Sequence, residues 1–179
     1  LAIEQADPLG DLNVESNKFR VHVLQGTTGS GKTIVYFESL KTIINKGFQG
    51  LIMLPVFGLT SQFEQKFKEF FGFNPAIWHS GIAKKNKKII WNGISTGKIK
   101  VVIGARSSLF LPYKNLGLII VDEEHDPSYK QHHPAPRYHA RDASIYLANI
   151  HNSPLLLGSA TPALESYYNA TEGKYNLVE

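Results

Sequence analysis

Residues 26–33 read GTTGSGKT, Gly26-Thr27-Thr28-Gly29-Ser30-Gly31-Lys32-Thr33, between the apolar run Val21–Leu24 and a helix-compatible segment beginning at Thr33. The spacing matches G-x-x-x-x-G-K-[ST] with a strand before it and a helix after it, the setting that a phosphate-binding loop requires. Glycines let such a backbone curl until several N–H groups face phosphate oxygens, and the helix that follows contributes the positive end of its dipole. Lys32 supplies a compact cation for β- and γ-phosphates, and the Thr33 hydroxyl can ligate Mg²⁺. The competing reading is an ordinary glycine turn with an exposed lysine.

Outward from this loop, short β-rich runs recur at Val21–Leu24, Gly50–Leu54, Ala76–Trp78, Lys100–Gly104, Leu118–Asp122 and Leu155–Gly158. Helical patterns fill the intervals at Thr33–Lys46, Leu59–Phe71, Lys85–Ser95 and Arg141–Ile150. Phe63, Phe67, Phe70 and Phe71 fall on one helical face, which reads as core. Strands alternating with helices predict an α/β fold, a P-loop NTPase lobe whose mostly parallel sheet is covered by helices on both faces. Residues 126–138 read as irregular.

The run Leu116–Ile120 ends in Val121-Asp122-Glu123-Glu124-His125, three consecutive acids and a histidine. Either the strand emerges into solvent there or the charges have a task, because buried charge needs a metal, a proton transfer or a partner. The phosphate loop favours a task. Asp122, after four apolar residues, is placed to anchor Mg²⁺ opposite Thr33, and Glu123 to orient or deprotonate an attacking water. Glu124 and His125 are expected to face the far side, toward whatever couples to hydrolysis.

Composition narrows the classes. With 179 residues and 42% hydrophobic content the chain suits one globular domain, and a formal charge of +4 permits an anionic partner without demanding one. Zero cysteines exclude disulfides, thiolate zinc sites and cysteine nucleophiles. No apolar run reaches the roughly 20 residues of a membrane span, and the first residues lack a signal-peptide pattern, so a cytoplasmic location is expected. KKNKK at 84–88 could contact phosphates or be a solvated face. His132, His133 and His139 lack the partners that a metal site usually has. GSATP at 158–162 offers Ser159 and Thr161 at a strand end, or simply a helix cap.

Taken in order, GTTGSGKT, LPVFGLTSQ, WHSG, VVIGARSSLFLP, LGLIIVDEEH, YKQ, RYHARDAS and LGSATPALES resemble the first RecA-like motor lobe of a superfamily 2 helicase. More narrowly they resemble the primosomal protein N′ family of bacterial replication-restart DNA helicases. The resemblance implies that Lys32, Thr33, Asp122 and Glu123 bind and hydrolyse MgATP, with Gln5 near the base. It implies Thr60, Arg106 and Ser107 as phosphate contacts along a DNA strand, and Ser159 and Thr161 as a relay between nucleotide state and DNA grip. Residues 126–142 are similar to the family's aromatic-rich DNA loop, where Tyr129, Arg137, Tyr138 and Arg141 could stack on bases or pair with phosphates. The alternative is a surface loop packing its tyrosines on the sheet.

The family commonly reads GKTEVY and VPEIGLTPQ, whereas Ile34, Val56, Phe57 and Ser61 stand here; His132, His133 and Ala135 also depart from its loop pattern. The resemblance further implies single-stranded or forked DNA, a second motor lobe with an arginine finger, and primosome proteins as partners. A preceding DNA-binding segment, that second lobe and a cysteine zinc region are absent from these 179 residues, so the chain alone is expected to hydrolyse little ATP. Two alternatives stand: a nucleotide-dependent DNA-binding module that grips without hydrolysis, and a non-functional remnant of a split gene. A small-molecule kinase would leave RYHARD, SSLFLP and GSATP unexplained.

Overall fold

The computed structural model describes Leu12, residues 18–27 and residues 29–179; Gln5 and Thr28 lie outside the described residues. Its strands are β1 (Arg20–Gln25), β2 (Gln49–Met53), β3 (Ala76–Trp78), β4 (Val101–Gly104), β5 (Leu116–Val121), the short β6 (Lys130–Gln131) and β7 (Tyr138–His139), β8 (Pro154–Ser159) and β9 (Asn176–Val178). Its helices are α1 (Lys32–Asn45), α2 (Ser61–Phe71), α3 (Lys84–Ser95), α4 (Ala140–Ile150) and α5 (Leu164–Thr171). Seven strands form one sheet in the order β3-β4-β2-β5-β8-β1-β9, every pairing parallel, while β6 and β7 make a separate antiparallel pair.

Alternation along the strands builds a core on each face. Ile119 and Val121 of β5 point to one side, with Val21, Val23, Leu155 and Leu157, where α3, α4 and α5 cover them. Leu118 and Ile120 point to the other, with Leu24, Ile52 and Leu156, under Tyr36, Leu40 and Ile43 of α1 and Phe67 of α2. The predicted phenylalanine stripe closes this second face: the Phe37 ring of α1 lies 5.4–5.7 Å from those of Phe63, Phe67, Phe70 and Phe71. Burying both faces is why the strand sequences are almost continuously apolar.

Topology positions the chemistry. Strands β1 and β5 both pair with β8, so GTTGSGKT, VDEEH and GSATP leave three adjacent strands at one end of a parallel sheet, where open α/β folds build their sites. The pattern reading missed β9, α5 and the β6–β7 pair inside the stretch it took as irregular. It also ran α2 two residues early, because Val56–Gly58 is a 3₁₀ turn and Thr60 caps the helix by accepting the Phe63 N–H at 3.3 Å.

Candidate functional site

The loop after β1 has the required backbone. Gly29 and Gly31 hold φ of +85° and +94°, a region that a side chain would strain, and Gly31 passes directly into α1. Lys32 Nζ donates to the Gly26 carbonyl at 2.7 Å and to the Thr27 carbonyl at 3.2 Å, so the cation sits over its own loop. The Gly26 N–H donates to the Ser159 carbonyl at 3.1 Å, which ties the loop to the end of β8.

Asp122 lies one residue past β5, its N–H bonded to the Met53 carbonyl at 3.0 Å. Burial pushes its carboxyl above the usual range; the Tyr36 hydroxyl, the Glu123 N–H, Lys32 and His125 oppose that rise. Tyr36, fully buried on α1, donates to Asp122 Oδ1 at 2.8 Å, and its own phenol is raised by burial first and by Asp122 second. The sequence reading missed Tyr36, although its place four residues after Lys32 puts it on the lysine's helical face. Gly158 completes the contact, because an added Cβ would overlap the Tyr36 hydroxyl and stand 2.8 Å from its Cζ.

Glu123 adopts φ +47°, left-handed for a residue with a side chain, at a cost of about 1–2 kcal/mol. The Asp126 N–H closes the turn onto the Glu123 carbonyl at 2.8 Å. His125 Nδ1 lies 3.7 Å from Glu123 Oε2 and 2.6 Å from Ser159 Oγ, and Ser159 Oγ accepts the Thr161 N–H at 3.0 Å. A polar path therefore runs from Glu123 through His125 and buried Ser159 to Thr161.

Glu124, expected to face the far side toward whatever couples to hydrolysis, turns into the interior. It is 0% exposed, because its N–H continues the pairing of β5 with β8 by donating to the Gly158 carbonyl at 3.0 Å. Its carboxylate accepts from the Ala163 N–H at 2.6 Å, the Ser166 hydroxyl at 2.9 Å and Arg141 at 3.4 Å. Arg141 is corrected with it. Buried at 8% exposure and paired with Glu124, Asp142 and Glu165, it is committed to the interior rather than presented to phosphates. Burial alone would lower its guanidinium pKa; the bond and charge of Asp142, with both glutamates, raise it instead.

Tyr129 is likewise no stacking platform. It is 1% exposed, and its hydroxyl donates to the Asp122 carbonyl at 2.6 Å and the Met53 carbonyl at 3.0 Å, so the tyrosine packs on the sheet. Arg106 holds the turn around it by donating Nη1 to the Ser128 and Lys130 carbonyls, each at 2.9 Å. Tyr138 stays half-buried with its ring 5.3 Å from that of Phe110, its phenol raised by burial, while Arg137 is exposed on the tip between β6 and β7.

A groove of about 560 Å³ runs past Leu59, His79, Ser80, Arg106, Ser107 and Gln131, bringing the two segments expected to contact a DNA strand beside the expected aromatic-rich loop. Thr60 and Ser107 are exposed beside it, and so is Phe57 at 89% exposure, a ring that the sequence reading noted only as a departure. Among the described residues no group of three or more His, Asp or Glu could by itself hold a metal. No described helix is long and apolar enough to cross a membrane.

A phosphate-type loop on one strand, an acidic box two strands away and the Ser159 hydroxyl between them define a RecA-like P-loop lobe of the helicase kind. Residues 12–170 match the DEAD/DEAH box helicase family, and the chain belongs to it. Within that family its sequence is 50% identical over 178 residues to replication restart protein PriA of Rickettsia felis, covering 99% of this chain and 27% of that protein. It is 44% identical over 165 residues to PriA of Bacillus subtilis, covering 92% and 20%. The chain thus spans about a quarter of the length of these relatives. The fold also matches the crystal structure of the DUF1998 helicase MrfA bound to DNA and AMPPNP, with a TM-score of 0.67 and 17% identity over 97% of this chain and 26% of that one.

Proposed function

We propose that this chain is the ATP-binding motor lobe of a PriA-type replication-restart helicase, working on single-stranded or forked DNA together with a second lobe and primosome proteins. One observation carries the reading: Lys32 and Asp122 arrive from different strands at the same end of the sheet, close enough for the lysine charge to act on the buried carboxyl. The donor set fits MgATP, because the loop offers backbone N–H groups and a cation for phosphates, and Thr33 and Asp122 offer two hard oxygens for the metal. Held by Thr33 and Asp122, bound Mg²⁺ would supply positive charge that neutralises the phosphates.

The chain's own residues have distinct tasks in this reading. Lys32 leaves the Gly26 and Thr27 carbonyls for the phosphates. Tyr36 fixes Asp122 in one rotamer. Glu123, held in its strained turn, takes a proton from the attacking water, and His125 passes its displacement to Ser159 and Thr161. Thr60, Ser107 and the exposed Arg137 grip phosphates along the groove, with Phe57 and Tyr138 as rings beside the bases. Arg106 keeps Nη1 on the Ser128 and Lys130 carbonyls and turns its remaining guanidinium donors, on Nη2 and Nε, to a phosphate. Tyr129 and Arg141 act from inside, bracing Asp122 and Glu124.

The complete enzyme would unwind DNA 3′ to 5′, with an arginine from the second lobe that is worth about 10³ to 10⁵ in rate in related NTPases. The isolated chain is expected to bind a fluorescent ATP analogue weakly and to release phosphate negligibly, with or without DNA. Robust turnover that Lys32→Ala abolishes would overturn the half-site reading, and a complete lack of nucleotide binding would overturn the phosphate loop.

A further inference from the structure

Charge is distributed unevenly along this chain. From Phe70 to Val121 there is no Asp or Glu, yet the segment holds Lys84, Lys85, Lys87, Lys88, Lys98, Lys100, Arg106 and Lys114; all 15 acids lie elsewhere in a chain of net charge +4. Among the described residues none of these eight cations is in an ion pair. Four of them occupy the first five positions of α3, where they oppose the helix dipole; that helix has no side-chain cap and no acid in its first turn. This arrangement costs local stability, and an anionic partner would offset the cost.

The patch adjoins the groove. Lys87 Nζ donates to the Ser80 carbonyl at 3.1 Å and lies 6.0 Å from the centre of the Trp78 ring, so the start of α3 is braced against the WHSG turn that lines the groove. His79 lines that groove and also a second one, of about 720 Å³, which continues to Lys98 and Lys100. Lys84, Lys85 and Lys88 are exposed on the same helix, whose Asn86, Ile89 and Ile90 line the second groove. The first five positions of α3 carry no aromatic residue, and Trp91, 46% exposed, lies further along the helix, so the cluster itself presents point charges that follow a phosphate backbone.

We infer that the lysine cluster at the start of α3 is a separate nucleic-acid contact that binds double-stranded DNA flanking the groove. The inference rests on the groove being a single-strand track. A duplex carries one charge per about 1.7 Å of axis, which lets several clustered lysines neutralise phosphates together.

The test measures anisotropy of labelled DNA against this chain, comparing an oligothymidylate, a blunt duplex and a tailed duplex at several salt concentrations. The triple variant Lys84→Ala, Lys85→Ala, Lys88→Ala leaves the Lys87 brace intact. It should weaken binding to both duplexes about tenfold or more and flatten their log–log salt slope by about 2 to 3, with binding to the single strand and to an ATP analogue unchanged. A control removing Lys41, Lys66 and Lys68 alters net charge equally and should change little. Unchanged duplex affinity in the triple variant, equal losses on single strand and duplex, equal losses in the control, or no duplex binding by the parent at low salt would each overturn the inference. Failure of the motor-lobe reading would show differently, as loss of nucleotide-analogue binding in the parent chain.

Discussion

Gly158→Ala should break the contact between the phosphate-loop helix and the acidic box. An ideal Cβ at 158 overlaps the Tyr36 hydroxyl and stands 2.8 Å from Cζ, inside the 3.0 Å that Cβ atoms essentially never breach. Tyr36 is 0% exposed, so its ring cannot swing into solvent; it must press on the core and give up its 2.8 Å bond to Asp122. Overpacking costs about 1–3 kcal/mol, and losing a hydrogen bond to a charged group costs about 1.5–3 kcal/mol. The expected total of about 3–5 kcal/mol is a large part of the roughly 5–15 kcal/mol that holds a domain together. Urea unfolding followed by far-ultraviolet circular dichroism measures it. Tyr36→Phe supplies the control, since without the hydroxyl the added methyl meets only the ring edge and should cost about 1–2 kcal/mol. The double-mutant cycle should therefore show coupling of at least about 1 kcal/mol. A Gly158→Ala variant within about 0.5 kcal/mol of the parent, or one equally damaging in both backgrounds, would refute the reasoning.

Other perturbations test separate parts of the structure. Glu124→Ala should cost about 3–5 kcal/mol in the same assay, because Arg141 loses its buried partner, while Glu124→Gln, which still accepts from Ala163, should cost less. Asp122→Asn should melt higher than the parent at pH 7 and fail to bind a Mg²⁺-loaded ATP analogue. Burial raises this carboxyl's folded pKa above its unfolded one, so ionisation costs stability once pH exceeds the folded value, and the amide avoids that cost. His22 is 1% exposed and contacts Asn176 at 3.2 Å; burial first and Arg20 second lower its pKa from 6.5 to about 4. Its unfolded form binds the proton more readily, so stability present above pH 6.5 falls as pH drops through about 4, by on the order of 3 kcal/mol. A His22→Gln variant should lose this dependence when urea midpoints are compared between pH 7 and pH 4.

The features legible in the sequence were those whose cause is local. GTTGSGKT announces its loop because Gly29 and Gly31 need left-handed backbone and Lys32 must follow them at a set distance. The central strands were legible because burial on both faces leaves few polar residues in them. By contrast, β9 has three residues and exists only because β1 lies beside it. Helix α5 exposes Leu164, Tyr167 and Tyr168, so its apolar pattern is blurred. Tyr129 and Arg141 misled for a chemical reason: a phenol and a guanidinium suit a DNA groove and a buried polar network equally well. What separates the two is a carboxylate and two carbonyls supplied by other strands. Glu124 held the usable signal, since a third acid directly after a buried strand needs a buried cation, and Arg141 is the guanidinium that heads a following helix.

VDEEH therefore works through four different surroundings rather than as one acidic patch. Asp122 faces the phosphate-loop helix through Tyr36, Glu123 stands in a strained turn, Glu124 turns inward to α4 and α5, and His125 reaches Ser159. Two of these contacts end on the same segment, because Ser159 starts the turn into α5 and Glu124 accepts the Ala163 N–H at its cap. In the proposed motor, a displacement of Glu123 or His125 would meet α5 through two sets of contacts, one of exchangeable hydroxyl bonds and one of a buried ion pair. In that proposal the hydroxyl contacts, built from weaker and partly exposed groups, would be the set that rearranges. The ion pair, costly to break, would hold the helix in register meanwhile.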